Sequence, residues 1–72
     1  MLTYKLVEHI AVLSTRAGKS KELNVISYDD KPPVVDLRVW KPDRAYTSKG
    51  VTLNAEELDI LREALMGRRE IL

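Results

Sequence analysis

The sequence predicts an α+β fold in which a four-stranded antiparallel sheet is followed by one carboxy-terminal helix, in the order β-β-β-β-α. Two observations lead to this fold class. Four short segments rich in β-branched and apolar residues are separated by turn-forming residues, and a helix-capping signal then precedes a segment with leucine periodicity. With 72 residues and no cysteine, we expect one domain, residues 1–72, without disulfide bonds.

The first two predicted strands form a hairpin. One covers residues 4–15, which are rich in β-branched and apolar side chains, and the other covers residues 21–28, where polarity alternates. The short polar segment 16–19 contains one glycine and is typical of a hairpin turn. Residues 29–33 end in two prolines, which cannot donate to a strand ladder, so the second strand is expected to stop before them.

The next two predicted strands cover residues 34–40 and 49–53. Side chains alternate along the first of these, so its leucine and valines at odd positions share one face. Asp36, Arg38 and Trp40 share the other face, and the charged neighbours place Trp40 outside a deep core. A polar loop connects the two strands.

A helix is predicted directly after the fourth strand. Asn54 can cap it and Glu57 stands at its third position, as in a capping box. The apolar side chains that follow cover an arc of about 160°, which is wide for a helix on one small sheet. The helix is therefore expected to contact its own sheet and a second protomer, with a dimer interface at Leu58, Ile60, Leu61, Ala64 and Leu65.

Size and composition restrict the classes of function. A core of fewer than ~70–80 residues rarely supplies more than ~3–5 kcal/mol, so we expect a homodimer. No apolar run approaches ~18 residues and no secretory signal is present, which predicts no membrane partner and a cytoplasmic protein. His9 is the only histidine and no nucleophile–base spacing accompanies it, so we expect no enzyme, no metal site and no cofactor.

Charge is distributed unevenly along the chain, although the net charge is only +1. Residues 1–53 carry nine basic and six acidic side chains, whereas residues 54–72 carry three basic and five acidic ones. A basic sheet with an acidic helix behind it indicates an anionic partner on the sheet. A well-mixed solvated surface explains the same charges equally well.

Trp40 and Arg38 are the leading candidates for contact with such a partner. Trp40 is the only tryptophan, and it serves either as a stacking platform for a base or as a half-buried aromatic at a sheet edge or subunit contact. Arg38 either binds phosphate or pairs internally with Asp36 or Asp43.

Further candidates lie along the other strands. Lys19 and Lys21 flank the first hairpin, and Lys49 precedes a strand glycine, which often marks close approach of a ligand or another backbone. Basic hairpin residues are also common for solubility alone. Strand alternation adds an aromatic ring, an amide and a hydroxyl to the predicted nucleic-acid surface: Tyr28, Asn24 and Thr52.

Several of these motifs occur together in a known family. Asp36-Leu37-Arg38 leading to Trp40, then Lys49-Gly50-Val51-Thr52-Leu53-Asn54 and the helix leucines, resemble the carboxy-terminal domain of the positive cofactor four family of transcriptional coactivators. Residues 8–14 and 21–25 are similar to its short bacterial branch. The resemblance covers residues 8–65.

The resemblance implies a strongly curved sheet, a homodimer, and grooves that take antiparallel single strands or a melted duplex. It also implies that Arg38, Trp40 and Lys49, together with Lys19 and Lys21, contact nucleic acid. The chain lacks the serine- and lysine-rich amino-terminal tail of the eukaryotic members. That difference argues against coactivation controlled by phosphorylation and leaves the DNA-binding core.

The expected function is that of a homodimeric single-stranded DNA-binding protein with little sequence preference. We expect it to be cytoplasmic and nucleoid-associated, and to serve transcription regulation or DNA metabolism. Two alternatives stay open. One is a protein-interaction module that docks on the transcription machinery, and the other is an RNA-binding protein, since no residue identifies a contact to a 2′-hydroxyl.

Overall fold

Five regular elements build the structure, a computed structural model that describes residues 2–68. They are β1 (Tyr4–Arg16), β2 (Lys19–Tyr28), β3 (Val34–Trp40), β4 (Gly50–Leu53) and α1 (Ala55–Met66). The strands form one antiparallel sheet in the order β1-β2-β3-β4, which confirms the predicted fold class. Within residues 2–68, no helix has both the length and the apolar character that crossing a membrane requires.

The hairpin between β1 and β2 is tighter than the sequence predicts. Only Ala17 and Gly18 separate the strands, and their φ angles of 53° and 78° meet the requirement of a two-residue type I′ turn. Arg16 and Lys19 pair directly across it. The polar side chains near the turn suggested a longer loop, but backbone pairing continues regardless of side-chain polarity.

Strand β1 is bent by three bulges. Its register against β2 shifts between Leu6 and Glu8, again between His9 and Ala11, and once more between Val12 and Ser14. Each bulge adds an unpaired residue, which bends the strand and increases its twist. The three extra residues are apolar and 44–55% exposed: Val7, Ile10 and Leu13.

The strand register divides the sheet into two faces. On the helix face, Leu23, Leu37 and Leu53 line an open apolar cleft together with side chains of α1. On the opposite face, the loop of residues 41–48 folds back across β2 and β3. We call this loop the strap and the face that it covers the strap face.

Helix α1 begins as the sequence predicts. The Asn54 side chain accepts a hydrogen bond from the Glu57 backbone N–H at 2.8 Å, and the Glu57 carboxylate accepts from the Asn54 N–H at 2.9 Å. This reciprocal pair is a complete capping box. Within residues 2–68, the backbone of the helix approaches β3 and β4, and none of its described side chains is buried.

The expected exposure of the charged face of β3 is wrong. Asp36, Arg38 and Trp40 are 0%, 5% and 3% exposed, whereas Leu37 and Val39 on the other face are only half-buried. The strap is the reason, because it covers the polar side of the sheet while a single short helix covers part of the apolar side. Charge along β3 therefore marks an internal network and not a solvent-facing surface.

Candidate nucleic-acid interface

A buried ion pair lies at the centre of the strap face. Asp36 accepts hydrogen bonds from Arg38 at Nε (3.1 and 3.2 Å) and Nη2 (2.9 Å), and from the Tyr28 hydroxyl at 2.9 Å. The remaining guanidinium nitrogen of Arg38, Nη1, donates to the Thr47 carbonyl at 2.7 Å. Of the alternatives that the sequence left open for Arg38, the structure shows the internal pair with Asp36.

Glu22 anchors the strap to β2. Its carboxylate accepts two hydrogen bonds from the Arg44 guanidinium, at 2.6 and 3.0 Å, and others from Ser20 and Asn24. The bonds from Arg44 are the main reason that the pKa of Glu22 falls to about 2. Asn24 also hydrogen-bonds to His9 Nδ1 at 2.7 Å, so its amide belongs to this network.

Three aromatic rings pack against the Tyr46 ring of the strap. The Tyr46 ring centroid lies 5.1 Å from that of Tyr4, 6.1 Å from Tyr28 and 6.2 Å from Trp40. The Arg44 guanidinium covers the Trp40 ring at 4.9 Å. Trp40 Nε1 is buried and has no hydrogen-bond partner among the described residues. Trp40 is thus enclosed by side chains, and a base cannot stack on it while the strap is in place.

Basic side chains gather around Val39, which precedes Trp40 in β3 and lies on the helix face of the sheet. A cleft of about 370 Å³, which we call the basic cleft, is lined by Lys19, Lys49 and strap residues that include Lys41. A neighbouring cleft of about 450 Å³ includes Arg16 and Lys21. Val39 lines both. All five basic side chains are exposed, and within residues 2–68 none of them forms an ion pair. We call Arg16, Lys19, Lys21, Lys41 and Lys49 the basic rim.

The predicted nucleic-acid residues divide between these two places. Lys19, Lys21 and Lys49 are brought together in the basic rim, on the side of Val39. The other members lie on the strap face, where Thr52 is exposed opposite Asp36 and the rest are buried or half-buried: Asn24, Tyr28, Arg38 and Trp40. The alternation of side chains along a strand already predicts this division. Lys21 lies on the same face of β2 as Leu23, and Asn24 lies on the opposite face.

Sequence reasoning missed three residues of the strap face. Glu22 and Arg44 form the anchor of the strap, and Tyr46 contacts both Trp40 and the basic cleft. Glu22 and Arg44 are 22 positions apart in the sequence, and a pattern of neighbouring residues cannot predict a contact over that distance. Tyr46 carries a weak signal, since it is the only aromatic residue in an otherwise polar loop.

The predicted dimer residues lie on an open surface. Ile60, Leu61 and Leu65 are 69%, 42% and 48% exposed, Ala64 is exposed, and Leu58 is half-buried at the cleft. The cleft between α1 and the sheet holds about 350 Å³ and is almost entirely apolar. Contiguous exposed apolar side chains of this kind mark an interaction surface.

A single bent sheet with one helix and a rim of unpaired basic side chains is typical of a small binding domain for an anionic partner. The family model of the transcriptional coactivator p15 (PC4) matches residues 15–64, and the chain therefore belongs to this family of DNA-binding transcriptional coactivators. The resemblance seen in the sequence is confirmed. An uncharacterized protein of Treponema pallidum (strain Nichols) is 40% identical over 63 residues, which cover 86% of this chain and 74% of that protein.

Proposed function

We propose that this chain is a homodimeric single-stranded DNA-binding protein with little sequence preference, which acts in transcription regulation or DNA metabolism in the cytoplasm and has no catalytic role. The observation that supports the proposal most is the basic rim. Five exposed basic side chains surround two clefts with mixed polar and apolar linings, in a member of a DNA-binding family, and no carboxylate pairs with them within the described residues.

Phosphates would meet three lysines of the rim, Lys19, Lys21 and Lys49, and bases or sugars would meet the cleft walls. Lys19, Lys21 and Lys49 supply flexible ammonium groups that suit phosphates in varied positions. Val39 and Thr47 supply an apolar surface and a hydroxyl between them. Contacts of this kind do not discriminate between base edges, which is the basis for expecting little sequence preference.

The small hydrophobic core of the single chain supports the proposed homodimer. Among the described residues, Ile26 and Trp40 are the only buried hydrophobic side chains. A core of this size is too small to stabilise a free protomer. Pairing of two helix faces would bury Leu61, Leu65 and the cleft beside them. A free helix face instead favours the alternative of a protein-interaction module.

An oligonucleotide titration tests the proposal. A labelled ~20-nucleotide oligo-dT should bind more tightly than a duplex of equal length, and log Kd plotted against log salt should have a slope of about 2, from ~0.7 per lysine contact. Replacing Lys19, Lys21 or Lys49 with Gln should each lower that slope by ~0.7. Lys5→Gln is the matched control, because Lys5 lies away from the basic rim and opposite Ser27.

The alternatives predict different results in the same assay. Equal affinity for oligo-dT and duplex, or a slope near zero, would contradict the proposal. Tighter binding of oligo-U than oligo-dT would point to RNA instead. A monomer in sedimentation experiments at micromolar concentration would leave the apolar helix face free for another protein.

A further inference from the structure

The strap lies between two parts of the molecule that would meet the same nucleic-acid strand. Thr47 and Ser48 line the basic cleft with Lys19 and Lys49. On the strap face, the same loop encloses Trp40. Tyr46 belongs to both, since it lines the cleft and its ring packs edge-on against Trp40 at 6.2 Å. A ligand in the cleft therefore touches the loop that covers Trp40.

Side chains hold the strap in place. No backbone–backbone hydrogen bond joins residues 42–47 to a strand in the described chain. The polar attachments are the Arg44–Glu22 pair, the bond from Arg38 Nη1 to the Thr47 carbonyl, and the bond from Thr47 Oγ1 to the Val39 carbonyl at 2.6 Å. The Tyr46 ring adds aromatic packing. A loop held in this way can lift without breaking the sheet ladder.

The position of the strap over Trp40 carries two unfavourable features. Trp40 Nε1–H is buried without an acceptor among residues 2–68, and a buried donor without a partner is costly. Arg44 has a φ of 63°, in the left-handed region that a residue with a long side chain rarely adopts. Lifting the strap would relieve both features, because water or a ligand could then accept from Nε1 and Arg44 could leave its left-handed conformation.

We propose that the strap is a gate with Arg44 as its latch: a phosphate of the bound strand takes Arg44 from Glu22, the strap lifts, and Trp40 becomes accessible to the strand. The Arg44 side chain is 51% exposed, so a phosphate can reach its guanidinium before the strap moves. Phosphate and carboxylate compete for the same bidentate fork. The proposal rests on the proposed function, since the phosphate belongs to a bound single strand.

Two variants weaken the latch while keeping every positive charge. Glu22→Gln removes the carboxylate, and Arg44→Lys replaces the bidentate fork with a single ammonium. Because Trp40 is the only tryptophan, its quenching by acrylamide reports the gate without any ligand. Both variants should raise the Trp40 quenching constant. Glu63→Gln, on the exposed surface of α1, is the charge-matched control for Glu22→Gln and should leave the quenching constant unchanged.

Oligo-dT binding tests the coupling of the gate to the ligand. When only part of the native population has an open strap, the apparent affinity for oligo-dT is reduced by that fraction. An open fraction of roughly 10–30% predicts that a weaker latch tightens oligo-dT binding about three- to tenfold. Arg44→Ala opens the gate but also loses the new phosphate contact. It should therefore bind more weakly than Arg44→Lys, although its Trp40 is equally accessible.

Three outcomes would overturn the proposal. Unchanged quenching in both Glu22→Gln and Arg44→Lys, with far-ultraviolet circular dichroism showing folded proteins, would mean that Arg44 is not the latch. Raised quenching without tighter oligo-dT binding would mean that the strand does not use the gate, and the proposed function would stand without it. If the native chain fails to bind oligo-dT, the gate and the proposed function both fail.

Discussion

The two faces of this sheet differ in how much of their surface is covered by the same chain. The strap face is polar, yet its ion pair and aromatic rings are enclosed by a loop of the same chain. The helix face is apolar, yet much of it stays exposed beside a single helix. Burial in this chain follows the path of the strap and not the polarity of the side chains, so the apolar face is the one that stays open.

The largest effect should come from breaking the ion pair of the strap face. Asp36→Ala leaves the Arg38 guanidinium buried without its carboxylate, and we expect a loss of about 3–5 kcal/mol in the free energy of unfolding. Urea titration followed by circular dichroism measures it. Asp59→Ala is the control, because the Asp59–Arg62 pair is 66% exposed on both sides and should contribute less than ~1 kcal/mol. Equal small losses would mean that the strap does not exclude water.

A slightly smaller effect is expected for Trp40→Ala. Removing an almost completely buried indole should cost about 3 kcal/mol, because the strap can collapse only partly into the space. Trp40→Phe keeps an aromatic ring and removes the unpartnered Nε1–H, so its cost should be well below that of alanine. Chemical denaturation of the two variants compares them. A stability loss below ~0.5 kcal/mol for alanine would place Trp40 outside the core.

The Glu22–Arg44 pair predicts a response to acid on the strap face. The pKa of Glu22 is about 2 in the folded chain, below its ordinary value of 4.5, so its stabilising effect is present above pH 4.5 and disappears as the pH falls towards 2. We expect protonation of Glu22 to lower the free energy of unfolding by about 2 kcal/mol. This is less than the shift in pKa alone would give, because the Arg44 side chain is half exposed and solvent screens the pair. Glu22→Gln should lose correspondingly less stability over that range of pH.

The smallest prediction concerns the helix face. Leu65→Asp places a charge on the exposed apolar surface of α1 and should weaken the proposed dimer at least tenfold, or ~1.4 kcal/mol, as measured by sedimentation. Glu63→Lys changes charge on the same helix and is the control. A dimer that resists Leu65→Asp would mean that the helix face is not the interface, and its apolar surface would then need another partner.

Local signals predicted the element order well. The Asn54–Glu57 box starts the helix, β2 ends at Tyr28 in the turn that precedes the prolines, and alternation along β3 separates its two faces. These features depend on neighbours a few positions away. The strap was not predictable in the same way, because Glu22 and Arg44 meet only after the sheet has formed.

The sequence predicted that basic side chains share a surface, but it did not predict where Arg38 and Trp40 lie. Lys19, Lys21 and Lys49 do share a surface, whereas Arg38 and Trp40 lie on the opposite face under the strap. The alternating pattern of β3 could not show which face a distant loop would cover. A polar strand face adjacent to a long loop is therefore compatible with either a ligand surface or an internal network.

The bulges of β1 have a consequence for solubility. β1 lies at one edge of the sheet, and an edge strand with exposed apolar side chains is normally a template for aggregation. Here the hydrogen-bonding edge changes direction at Val7, Ile10 and Leu13, so a straight strand from another molecule cannot pair along its length. The other edge strand, β4, is only four residues long. The bulges that bend β1 therefore protect one edge of the sheet against fibril growth, and the short length of β4 protects the other.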